Sequence, residues 1–186
     1  RLPAAVCAAS SSAEAAKAVQ KAFSTNYFRV YTNTDVIGVE LGGALKNVIA
    51  IAAGISDGLA LGHNARAALI TRGLAEMGRL GAALGALPAT FAGLSGLGDL
   101  VLTCTGPLSR NYTVGVSVGK GAPIDEVTGS MRMVAEGVKT CRGARELALR
   151  HKVDMPITEA VYSVLYSGTS PKEAVMGLMS RELKDE

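Results

Sequence analysis

The sequence predicts a mainly α-helical protein: an all-α multi-helix domain over residues 35–186, preceded over residues 1–34 by a short strand-helix-strand unit. Three observations carry that expectation. Apolar residues recur at helical spacing through most of the chain after Asp35. The β-branched and aromatic run that fits a strand stands before that point, and capping signatures precede several of the periodic segments. At 186 residues, 48% of them hydrophobic, the chain can bury one sizeable core.

The elements follow in order. Ala4-Ala5-Val6-Cys7-Ala8-Ala9 reads as a strand. Ser11-Ser12-Ala13-Glu14 is a capping box in which the serine accepts from the backbone and the glutamate reaches back. Ala15, Ala16, Val19, Ala22 and Phe23 then repeat at helical spacing, and Phe28-Arg29-Val30-Tyr31-Thr32 fits a second strand. This unit is too small to bury both faces of a sheet and reads as the trailing edge of an α/β domain. The opening Arg-Leu-Pro, with neither a methionine nor a charged-then-apolar leader, reads as that of a fragment or a processed product.

One helix is expected from Asp35 to about Gly54, and a second after Asn64 as its cap, with Leu69, Ile70, Leu74, Met77 and Leu80 on one face. Gly85 and Pro88 mark a break. Further helices are expected over 97–104, 109–119 and 136–150, after Pro156, and after Ser170-Pro171-Lys172-Glu173, where serine, proline and glutamate occupy capping positions.

Composition narrows the function classes. A net charge of +3, evenly mixed, and 4% aromatics with no tryptophan argue against a nucleic-acid surface. Cys7, Cys104 and Cys141 are widely spaced and odd in number, so reduced thiols in a cytoplasmic protein are expected in place of disulfides or zinc. His63 and His151 lack partners at ligand spacing and are expected at the surface or in caps, with no metal. The most apolar region, 36–62, carries Glu40, Lys46 and Asp57, which argues against a membrane span. Met131, Met133, Met155, Met176 and Met179 are expected to fill the core.

Three polar clusters interrupt the apolar pattern. Lys46-Asn47 sits one turn after Gly42-Gly43, a pair that destabilises a helix interior by roughly 1 kcal/mol per glycine. The glycines leave space for a neighbouring helix or for a small molecule. Burial beside them would disfavour an ammonium, which suits proton transfer, whereas spacing alone favours a lysine that snorkels to the surface. Asp99 and Thr103 are four apart and share a helix face, although Asp99 also fits a simple N-cap after Gly98. Ser109-Arg110-Asn111 stands at a helix start, where free N–H groups and a guanidinium fit an anion, against an ordinary capped helix with a solvated arginine. Gly96-Leu97-Gly98-Asp99-Leu100-Val101 lacks the last small residue of a dinucleotide fingerprint, and Gly119-Lys120-Gly121 is not a phosphate loop.

Taken together, VIGVELGGALKNVIAIAAGISDGL, ALITRGLAEM, GLGDLVLTCTGPLSRN, VAEGVKT and MPITEAVYSVLY resemble the bacterial NAD(P)-dependent glycerol-3-phosphate dehydrogenases over essentially the whole chain. The resemblance implies that residues 1–34 are the C-terminal remnant of a Rossmann domain and that 35–186 form the substrate-binding domain. It implies interconversion of sn-glycerol 3-phosphate and dihydroxyacetone phosphate with NAD or NADP, supplying phospholipid synthesis in the cytoplasm, in a homodimer. Lys46 matches the family's proton acceptor and donor, with Asn47 beside it, and so reverses the reading from spacing. Asp99 and Thr103 match its orienting partners. Ser109, Arg110 and Asn111 match the segment that holds the substrate phosphate, and Arg110, Val134 and Glu136 match contacts to the cofactor.

Tyr112 and Thr113 stand where the family often has basic residues. The dinucleotide fingerprint and a first-domain substrate lysine are absent from the chain, so by itself it is expected neither to bind dinucleotide tightly nor to turn over. The competing readings are a related two-domain dehydrogenase for 3-hydroxy acids or phosphogluconate, and a non-catalytic helical dimerisation module.

Overall fold

A computed structural model describes residues 2–129 and 135–182. The first unit is a parallel β-α-β. Strand β1 (Ala4–Ala9) pairs with β2 (Phe28–Asn33) in a register that sets Ala4 against Phe28 and Ala9 against Asn33, with α1 (Ala13–Phe23) between them. Ser12, not Ser11, caps α1 by accepting from the Ala15 amide. Glu14 therefore falls one position short of the capping-box site and does not reach back. Val6, Val19, Phe23 and Tyr31 are exposed, as expected of a sheet too small to cover its own faces.

Among the described residues, every regular element after Asp35 is a helix. Helix α2 (Val36–Gly58) is the axis of the domain, and every residue from Val48 to Ser56 is buried. It is long and apolar enough to cross a membrane by length and composition. Here α3 (Gly62–Ala83), α5 (Asp99–Thr105), α6 (Arg110–Gly119), α8 (Glu136–His151) and α9 (Pro156–Tyr166) pack around it. Asp35 starts it: Oδ1 accepts from Gly38 N, while Oδ2 accepts from Leu87 N and Thr90 Oγ1, which ties the helix to the start of α4 (Pro88–Ala92). Burial alone would raise the Asp35 pKa, yet these three donors together hold it below the usual carboxylate range.

Helix α2 runs past Gly54, because that glycine serves packing and does not end the helix. Gly54 and Gly58 face Gly115 and Gly119 of α6 (Arg110–Gly119) so closely that a Cβ at any of the four would strike backbone of the other helix. Helix α3 (Gly62–Ala83) begins before Asn64, at Leu61, with no side-chain cap. Ala60 (φ 58°) and Gly62 (φ 87°) turn the chain within three residues, so the helix resumes before the expected cap. Met77 and Leu80 are buried on its inner face, as the spacing predicts.

The break at Gly85 and Pro88 is real but short. Helix α4 (Pro88–Ala92) and a π-helical turn (Leu94–Gly98) fill it, leading without interruption into α5 (Asp99–Thr105). After α6 comes α7 (Ile124–Gly129), which the sequence reading missed. Helix α8 (Glu136–His151), α9 (Pro156–Tyr166) and α10 (Pro171–Met179) follow, the last with the expected capping box at Ser170 and Glu173.

Among the methionines, Met155 is core, whereas Met176 and Met179 are 66% and 77% exposed. Helix α10 packs along α9 with its other face, which leaves both outside the core. Met131 and Met133 lie outside the described residues. The three cysteines are free thiols, and burial pushes Cys104 and Cys141 up to about 12.

Glu76 of α3 is the largest polar surprise. It is 1% exposed and accepts from Ile157 N (2.5 Å), Thr158 N (3.1 Å) and Thr158 Oγ1 (3.0 Å), so it caps α9 from a different helix. Helix α9 has no side-chain cap of its own, and the carboxylate supplies one.

Candidate active site

The site is assembled where α2 is crossed by α5, α6 and the start of α8. Lys46 does not snorkel freely: its Nζ lies 2.5 Å from Asp99 Oδ2, with the two side chains 21% and 33% exposed. Asp99 is able to meet it because the π-helical turn runs straight into α5. Gly98 holds the capping position without a side-chain bond, which frees the Asp99 carboxylate and removes the plain N-cap reading. Thr103 Oγ1 donates to Asp99 O at 2.6 Å and approaches Asp99 Oδ1 at 3.4 Å, one turn along the same face.

Beside the lysine runs a directed chain of amides. Gly137 N donates to Asn111 Oδ1 (2.9 Å), Asn111 Nδ2 to Asn47 Oδ1 (2.9 Å), and Asn47 Nδ2 to Gly43 O (3.2 Å). A backbone N–H can only donate, so the Gly137 amide fixes which end of each asparagine is oxygen. Among the described residues, each carboxamide keeps one further N–H.

Gly137 is required for this contact, because a Cβ there would stand 2.7 Å from both Asn111 Oδ1 and Asn47 O. Sequence reasoning missed it. The available signal was a glycine in the first turn of a helix where no turn geometry needs one.

Ser109 caps α6 by accepting from Tyr112 N at 3.3 Å. Arg110, next in the chain, donates from Nη2 to Glu136 Oε1 at 2.9 Å, and both side chains are open to solvent. Asn111 is 4% exposed and turned inward. Val134 lies outside the described residues. Contacts therefore link the candidates in sequence: Thr103 to Asp99, Asp99 to Lys46, Asn47 to Asn111, and Arg110 to Glu136.

Tyr112 does not act as a substitute cation. Its hydroxyl donates to Asp57 Oδ2 at 2.6 Å, an oxygen that also accepts from Arg66 Nη1 at 2.6 Å, and Arg66 Nη2 meets His63 Nδ1 at 2.8 Å. The hydrogen bond to Asp57 raises the Tyr112 pKa. Tyr112 thereby ties the first turn of α6 to the end of α2 and the start of α3. Thr113 bonds back to Ser109 O.

No cluster of three or more His, Cys, Asp or Glu able to hold a metal occurs among the described residues. Two hollows in the surface, one lined by Leu149, Met155 and Arg181 and the other by Lys17 and Thr32, include none of the candidates. The assignment rests on converging polar groups.

Comparison with known proteins places the chain in a family. Residues 35–176 match the family described as NAD-dependent glycerol-3-phosphate dehydrogenase C-terminus. The glycerol-3-phosphate dehydrogenase [NAD(P)+] of Geobacter metallireducens is 66% identical over 185 residues, covering 100% of this chain and 55% of its own length. That of Geobacillus kaustophilus is 60% identical over 187 residues, with 100% and 54% covered. The crystal structure of glycerol-3-phosphate dehydrogenase from Coxiella burnetii superposes with a TM-score of 0.93 at 47% identity, covering 97% of this chain and 55% of that one. The chain thus spans about 55% of the length of these relatives. It belongs to the NAD-dependent glycerol-3-phosphate dehydrogenase C-terminus family.

Proposed function

We propose that this chain is the substrate-binding half of a dehydrogenase that interconverts sn-glycerol 3-phosphate and dihydroxyacetone phosphate with NAD or NADP. In this reading residues 1–34 are the tail of the dinucleotide-binding domain, and 35–186 are the substrate-binding domain. The observation that carries the reading is the Lys46–Asp99 pair at 2.5 Å, joined through Asn47 and Asn111 to the Arg110–Glu136 pair.

In oxidation, Lys46 Nζ takes the proton of the C2 hydroxyl while hydride leaves C2. In reduction, the Lys46 ammonium returns that proton to the carbonyl oxygen. Asp99 Oδ2 holds the amine in line and stabilises the ammonium as it forms, and Thr103 braces Asp99 from the next turn. Ser109, Arg110 and the spare N–H groups of Asn47 and Asn111 present donors to a phosphate. Arg110 and Glu136 offer one donor set and one acceptor, which fits the carboxamide of a nicotinamide. When bound, that group accepts or supplies the hydride.

Cytoplasmic location, a homodimer and a supply role for phospholipid synthesis belong to the same proposal, and the free thiols fit a reducing compartment. The test is Lys46→Ala in the full-length protein that carries this chain. Turnover of glycerol 3-phosphate should fall by about 10²–10⁴-fold with the circular dichroism spectrum kept. An unchanged rate would leave Lys46 structural and the proposal wrong.

A further inference from the structure

Helix α2 contains five glycines, and four of them have a steric reason. A Cβ at Gly38 would strike the Asp35 carboxylate and Thr90, one at Gly42 the Ser95 carbonyl, and those at Gly54 and Gly58 the backbone of α6. Gly43 is the exception, since a Cβ there would meet nothing within 4 Å among the described residues. Its φ is not in the left-handed region either. Neither packing among the described residues nor backbone conformation accounts for a residue that weakens the middle of a helix.

Its position does account for it. Gly43 precedes Lys46 by three residues and Asn47 by four, so all three share one face of α2. Leu45 and Val48, on the opposite side, are buried in the core. The Gly43 carbonyl accepts the Asn47 carboxamide at 3.2 Å, the last link of the amide chain that begins at Gly137. Bare backbone therefore forms the floor between the amine and the carboxamide.

We propose that Gly43 is a specificity-determining residue: the three-carbon phosphate ester lies directly over its Cα. This rests on the dehydrogenase reading above. A substrate hydroxyl within hydrogen-bond reach of Lys46 Nζ, with its phosphate toward the donors at Asn47 and Asn111, has its carbon chain over this turn of α2. A methyl group at residue 43 would project into that space.

The test is Gly43→Ala in the full-length protein that carries this chain, with two readouts of opposite sign. The substitution should raise Tm by about 2–4 °C, because alanine favours the helix and meets no neighbour. It should also lower kcat/KM for glycerol 3-phosphate by about tenfold or more, through KM, with the dinucleotide KM unchanged.

A raised Tm with unchanged kinetics would overturn the proposal. So would a lowered Tm or failure to fold, since the glycine would then be kept for packing. A rise confined to the dinucleotide KM would move the clearance to the cofactor and overturn the substrate assignment. The wild type provides the separate control: if it does not turn over glycerol 3-phosphate at all, the dehydrogenase reading fails, whatever the variant does.

Discussion

Asp35 joins the two parts of the chain, and its replacement by asparagine has a calculable cost. The carboxylate is 8% exposed and accepts three hydrogen bonds, two from the backbone (Gly38, Leu87) and one from Thr90. Asparagine has the same shape but only one acceptor oxygen. Placed toward Leu87 and Thr90, it turns an NH2 on the Gly38 N–H; placed toward Gly38, it turns that NH2 on the other two donors. At least one buried backbone donor is left unsatisfied, at about 1–3 kcal/mol. The weakened N-cap lies within the same range, so Asp35→Asn should destabilise by about 1–3 kcal/mol at neutral pH. Alanine removes all three acceptors and should cost more.

The sign of the pH dependence follows from the lowered pKa. Between that lowered value and the ordinary 3.8, the unfolded chain binds the proton and the folded chain does not. The stabilisation is complete above 3.8 and is lost as pH falls through the folded value. Urea unfolding followed at 222 nm, for wild type and Asp35→Asn in parallel, should show a gap that narrows on acidification below that point. Equal stability at pH 7, or a gap that widens in acid, would refute the reasoning.

Two further substitutions probe the supports of the site. Gly137→Ala forces a Cβ against the Asn47 backbone and the Asn111 oxygen. It should cost about 1–3 kcal/mol in thermal unfolding and lower turnover as well, so wild-type values of both would remove Gly137 from the amide chain. Glu76→Gln puts an NH2 among three buried donors and should destabilise by roughly 1–3 kcal/mol in urea, whereas Glu76→Leu should cost roughly 3–5 kcal/mol; a neutral result for Leu would mean that the start of α9 is satisfied in another way.

The helical architecture was legible because it is written in local periodicity and capping. The boundaries that failed did so for tertiary reasons. Gly54 looks like a helix end in one dimension and is a helix-crossing contact in three. Asn64 looks like a cap, but Ala60 and Gly62 had already turned the chain. Met176 and Met179 carry apolar side chains, yet they fall on the outer face of the last described helix.

At the site, the residue types were readable and the pairings were not. Spacing puts Thr103 on the face of Asp99, but nothing in it brings Asp99, 53 residues on, to Lys46. Glu76 was invisible because its partners stand 81 and 82 residues away. Gly137 and Gly43 carry no functional group, so they can be found only by asking what a Cβ would meet.

The close crossing of α2 and α6 connects packing to chemistry. Asn111 reaches Asn47 from the first turn of α6, and a 2.9 Å hydrogen bond leaves little freedom in the distance between the two helices. That distance is set one turn further along α6 and two turns further along α2, where Gly54 and Gly115 let backbone meet backbone. Tyr112, bonded to Asp57, fixes the rotation of the same turn. A larger residue at either glycine would lift Asn111 and Arg110 away from Lys46 together. Misplacement by about 1 Å can cost on the order of 10²-fold in rate. The glycines of this crossing therefore set the geometry between Lys46, the amine proposed to move the proton, and the start of α6, proposed to hold the anion.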